Sequence, residues 1–255
     1  METHNSQEIR LDKDGNKVEK HPKQDFQVER LAFFSDAVFA IAITLLVVEF
    51  KIPRITGDTT YNDALQQLWD LKYLFAATLF SFLFIASYWI NHHLLFKYIH
   101  NYNNKLTYIN MLVLLPIIFF PFTTAFFAES LNSSLMENGK FQNIFLLGFR
   151  LFMINNFFAA LTCYILYWYA MVKHKELSFT MPTKEKMKFR TNILFVVFTF
   201  FIAIILSFLN LSFINNMFII DFVLWGGIII LVIIKRKQKK RLAEEEKLKC
   251  IEKRE

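Results

Sequence analysis

Five ionisable positions stand inside long apolar runs of this sequence: Asp36, the adjacent His92 and His93, Arg150 and Asp221. Carboxylates, imidazoles and a guanidinium can carry protons, form ion pairs or meet a cation. In hydrocarbon each is costly, so each calls for a partner or a function. Enzyme chemistry finds little support around them. There is no HExxH, no GxSxG elbow and no glycine-rich phosphate loop, and the chain has only 6 Gly to build one. Cys163 lies in an apolar run and Cys250 in a charged one, too far apart in depth for a disulfide and without a Cys/His metal cluster. The expectation is a non-enzyme without cofactor or fixed metal.

The elements that must position these groups follow from length and hydropathy. The 255 residues are 55% hydrophobic, with 31 Phe, yet carry a net charge of +7. An average globular chain is about 45–50% apolar with glycine counted. Apolar excess and ample charge coexist here because they are segregated, which excludes disorder and small disulfide scaffolds. A membrane-crossing helix needs about 20 apolar residues. Six runs qualify, at 31–50, 73–95, 106–128, 146–171, 190–209 and 213–234. They do not alternate as the strands of a membrane barrel would. The expected fold is an all-α membrane protein with six transmembrane helices per subunit. Pro116 and Pro121 predict a kink in the third span. The polar start lacks the apolar core of a signal peptide, so the first span is expected to act as its own membrane signal.

Basic residues set the orientation. With the N-terminus inside, 24 Lys/Arg fall on the inner side and 4 on the outer. The expectation is a multi-pass protein of the cell membrane with both termini cytoplasmic. Its parts are a polar N-terminal segment (1–29), a six-helix domain (30–235) and a charged tail (236–255). The run Lys235, Arg236, Lys237, Lys239, Lys240, Arg241 reads as an anchor at anionic lipid, not as a nucleic-acid site.

Depth then pairs the ionisable groups. Asp36 lies about 9 Å above the inner start of span one. His92 and His93 lie at a similar depth near the inner end of span two, with Trp89 one turn from His93. A network of Ser35, Asp36, Trp89 and His93 tying the two spans is expected, with either histidine able to take the inner place. Arg150 and Asp221 match in depth near the outer side and form a candidate intramembrane ion pair. On the wheel of span one, Phe34, Ile41, Leu45 and Val48 share a sector of roughly 60°, with Thr44 beside it, and Asp36 points about 145° away. An aliphatic stripe of this kind is ordinarily lipid or packing surface.

The string Arg30-Leu-Ala-Phe-Phe34-Ser35-Asp36, followed by AVFAIAITLLVVE, resembles the first-helix RxxxFSD signature of the transmembrane protein 175 family. These are lysosomal-type potassium channels and their prokaryotic relatives. Tyr88-Trp89-Ile90-Asn91-His92-His93 is similar to that family in helix two, as is the six-span layout. The resemblance implies a single-repeat potassium channel, a homotetramer in the lipid bilayer whose first helices line a central pore. It implies K+ as the permeating ion, passing near Ile41 and Thr44. In place of a TVGYG carbonyl filter it implies an aliphatic constriction, falling on Ile41, Leu45 and Val48, with Thr44 as a polar ring. It also implies a structural polar network over Arg30, Ser35, Asp36, Trp89 and one of His92 and His93. With no ligand-binding domain expected around the spans, a passive, leak-like channel is the simplest reading. The competing class is a proton-coupled transporter using Asp36 and His93.

Overall fold

The computed structural model describes residues 24–50, 55–136 and 142–208. The expected sixth span at 213–234, Asp221, Cys250 and the basic tail lie outside the described residues, as does most of the polar N-terminal segment. Within them the chain is helical: α1 (Gln24–Val48), α2 (Tyr61–Asp70), α3 (Lys72–Phe96), α4 (Asn104–Met136), α5 (Gln142–Tyr167) and α6 (Thr183–Ser207). Five segments are long and apolar enough to cross a membrane. No strand occurs among the described residues, only an isolated bridge between Ile99 and Ser178. Helix is the form that satisfies every backbone group within one segment, which is what hydrocarbon demands.

The five long helices match the first five expected spans, most of them extended by several residues. The largest extension is in α4, which starts two residues before its expected limit and runs to Met136. It passes through Pro116 and Pro121 as one continuous helix, each proline removing one backbone donor. A π-helical turn, Trp168–Lys173, ends the α5 segment.

α2 was absent from the expected layout. Its start is fixed by a capping box: Thr60 Oγ1 accepts from the Asp63 N–H (3.3 Å), and Asp63 Oδ2 accepts from the Thr60 N–H (3.0 Å). The helix buries none of its residues, and Leu65, Leu68 and Trp69 are exposed. A scan for long apolar runs passes over such a short amphipathic element.

α4 is the hub. It packs against α5, α1 and α3, while α6 packs mainly on α5. Gly148 sets the closeness of α4 and α5: a Cβ there would lie 2.9 Å from Ser130 Cβ and closer still to Ser130 Oγ. Aromatic rings fill much of the remaining core, with Phe152 meeting Phe84, Phe120 and Phe127. At one end of the bundle the α3–α4 and α5–α6 connections are latched. Phe179 N–H donates to Tyr98 O (2.8 Å), His100 N–H to Leu177 O (3.0 Å) and Tyr98 Oη to Glu185 (2.5 Å). The hydrogen bond to Glu185 holds the Tyr98 hydroxyl pKa above its usual value.

Candidate functional site

Two faces of α1 define the site. The inner face is a stripe at helical spacing: Val28, Leu31, Ser35, Phe39, Ala42 and Leu46, all buried. The outer face carries the predicted constriction. Ile41 is 56% exposed and Val48 72%, and Leu45 and Thr44 are exposed beside them. The structure therefore brings the four stripe residues together on one surface, and nothing in the described chain covers it. Ile41 to Val48 spans about 10 Å along the helix axis.

Thr44 has a specific orientation. Its hydroxyl donates to the Ile41 carbonyl at 2.9 Å. With the proton committed to the helix, the oxygen presents only acceptor lone pairs to the exposed side. That is the polarity a passing cation would meet favourably.

The polar residues behind this face form two separate groups. In the first, Trp89 Nε1 donates to Asp36 Oδ1 at 2.8 Å, joining α1 to α3. His93 lies against the same indole, ring centroids 5.7 Å apart. In the second, Asn110 of α4 is the centre. Its Nδ2 donates to Ser35 Oγ (2.8 Å), and its Oδ1 lies 2.7 Å from His92 Nε2. Ser35 in turn donates to Leu31 O (2.8 Å). Because the amide oxygen can only accept, the His92 tautomer here carries its proton on Nε2. His92 is 1% exposed and Asn110 0%, and the imidazole stacks on Phe96 at 4.5 Å and meets Phe39 at 5.5 Å.

The two histidines thus have distinct places. His92 reaches the Ser35 side, and His93 accompanies Trp89 and Asp36. Arg30 joins neither group and stands over the Phe26 ring at 5.8 Å. Asn110 carries no charge and lies on the third span, so the depth match between the first two spans does not point to it. An asparagine about one turn into the third apolar run is the available signal, since a buried amide needs partners.

Arg150, two turns into α5, reaches the C-terminus of α6. Its Nη2 donates to Ser207 O (2.6 Å) and its Nε to Ser207 Oγ (3.3 Å), with the guanidinium 4.2 Å from the Phe208 ring centroid. A cation at a helix C-terminus meets unsatisfied carbonyls and the negative end of the dipole. Its expected partner Asp221 is outside the described residues. Among the described residues no cluster of three or more His, Cys, Asp or Glu could hold a metal ion.

Fold and site together define an α-helical membrane protein whose first helix is pinned from behind and bare in front. Residues 30–121 match the family model of the endosomal/lysosomal potassium channel TMEM175. Curated relatives named as potassium channels include one from Streptomyces collinus, 41% identical over 103 residues, which are 40% of this chain and 48% of that protein. Another, from Chamaesiphon minutus, is 42% identical over 112 residues, 43% of this chain and 53% of that protein. The chain thus spans about half the length of the curated relatives it matches. The fold likeness is wider. A crystal structure of a lysosomal potassium-selective channel TMEM175 homolog from Chamaesiphon minutus covers 85% of this chain and 98% of its own, at 24% identity and a TM-score of 0.58. The potassium channel MtTMEM175, crystallised with a nanobody–MBP fusion protein, covers 88% and 100%, at 20% identity and a TM-score of 0.56.

Proposed function

We propose that the chain is the subunit of a potassium-permeable, passive cation channel. Four copies would surround one axis, each with six transmembrane helices, α1 innermost and both termini cytoplasmic, in the cell membrane. The observation that carries this reading is the asymmetry of α1. Its polar residues are tied to α3 and α4, while Ile41, Thr44, Leu45 and Val48 face outward with no cover. A bare aliphatic stripe beside the family signature is what a shared central path would use. The six-helix domain would run from 30 to 235, with Arg150 free to engage Asp221 as well as the end of α6.

In that arrangement Ile41 offers no oxygen to replace a cation's water. Passage depends on widening and partial dehydration, and potassium holds its water less tightly than sodium. Thr44 supplies acceptor oxygens one turn beyond. When the Ile41 ring narrows, dewetting closes the path. The ion needs no resident cofactor. A proton relay through Asp36 and His93 would have to cross Trp89, whose indole is a donor only.

Potassium against sodium flux through purified protein in liposomes tests the channel, and Ile41→Asn tests the constriction. The variant is expected to conduct more and select less. Unchanged flux and reversal potential would remove Ile41 from the path. Saturable flux that requires a proton gradient would favour the transporter.

A further inference from the structure

At the latched end of the bundle a cavity of about 170 Å³ opens between the π turn after α5 and the first turns of α6. It has room for roughly five waters at about 30 Å³ each. Buried Met171 and Met181 and exposed Phe179 give it an apolar side. Lys175, Lys186 and Thr180 give it a polar one. No carboxylate lines it. The two nearby acids are engaged elsewhere: Glu176 Oε1 with His174 Nδ1 (2.7 Å) and Glu185 with Tyr98. Neither the Lys175 nor the Lys186 ammonium group has an ion-pair or hydrogen-bond partner among the described residues.

Two unpaired ammonium groups converging on one cavity repel each other unless an anion sits between them. The cavity lies where membrane-spanning helices end, so an anion there is at headgroup level. We infer that this cavity binds the phosphate of an anionic phospholipid headgroup, with Lys175 and Lys186 as its cationic ligands and the Thr180 hydroxyl as a donor. The ligand chemistry is a phosphate ester. The apolar side of the cavity favours a lipid over the free ion. The inference needs only that the helices are in a membrane, and stands apart from the pore.

The test uses the full chain purified in mild detergent, with bound lipid counted by native mass spectrometry. Dioleoylphosphatidylglycerol should be retained by the unmodified protein, and dioleoylphosphatidylcholine should not. The pair Lys175→Ala and Lys186→Ala should lower retention by about tenfold or more, and the pair Lys175→Arg and Lys186→Arg should preserve it. Lys105→Ala with Lys188→Ala, exposed lysines outside the cavity, should change it little. Equal retention by the first pair, or an equal loss in the control pair, would overturn the site. Displacement of the lipid by millimolar inorganic phosphate would overturn the lipid in favour of the free ion. Should the alanine pair fail to fold, photoactivatable phosphatidylglycerol on the unmodified chain decides. Labelling of the Phe179–Met181 peptide supports the site, and labelling spread evenly over all helix ends refutes it.

Discussion

The two faces of α1 divide polarity in an unexpected way. The buried face holds the hydrogen-bonding side chain Ser35, and Asp36 lies at its edge. The face left bare holds Ile41, Leu45 and Val48, with the single hydroxyl of Thr44. An ion path would intuitively take the polar face. Here polar groups instead fix the helix to α3 and α4, where an unpaired group in hydrocarbon would be costly. The comparison teaches that a polar residue at membrane depth reports first on what holds the helix. The path, where there is one, is found by asking what remains uncovered.

The sharpest way to break this contrast is to remove the buried anchor. Asn110→Leu takes away two interhelical hydrogen bonds and leaves Ser35 and His92 without their partner. The expected loss of subunit stability is about 1–3 kcal/mol, with the lower half more typical between membrane helices. It should appear as a lower Tm and earlier loss of a monodisperse gel-filtration peak. A variant as stable as the parent would mean that the buried face is held by packing alone.

The next effect is smaller because the Asp36–Trp89 pair is partly exposed. Asp36→Ala and Trp89→Phe should each cost about 1 kcal/mol and, in the proposed tetramer, impair assembly. The double variant should be hardly worse than either single one, since both remove the same bond. Additive losses in that double-mutant cycle would show that the two side chains act independently.

These anchors also show what the sequence could reveal. Five of the helices were legible from length alone, because twenty apolar residues leave few other options. The α1–α3 tie was legible from depth, since Asp36 and Trp89 fall within a turn of one another on antiparallel spans. The division between His92 and His93 was not. Adjacent residues on a helix differ by about 100° in direction, and only the packing of α4 decides which one turns inward. α2 was missed for a related reason. Its signal is the Thr60 to Asp63 capping box, a local pattern that hydropathy averages away. Arg150 was read by its charge and matched to an acid, but a helix C-terminus is also an anionic partner.

On the bare face the order of effects reverses, with little change in folding and a larger change in conduction. Ile41→Asn, the variant that tests the constriction, should alter the stability of the chain by less than about 0.5 kcal/mol, because the side chain is largely uncovered in the chain. A large loss of stability would place Ile41 in the packing of the subunit and blur the distinction between the faces.

Thr44→Val is the finest probe of the same contrast. The substitution keeps the β-branched shape and replaces the hydroxyl by a methyl. Its hydroxyl bond runs back to Ile41 O within one helix, so the carbonyl keeps its ordinary helical partner and stability should hardly move. What disappears is an acceptor oxygen on the exposed face. In the proposed channel this should reduce potassium conductance by only a few-fold, since the aliphatic ring sets the main barrier. Thr44→Ser, which restores the oxygen without the methyl, should recover it. If valine and serine conduct alike, the oxygen is irrelevant and the bare face acts through its shape alone.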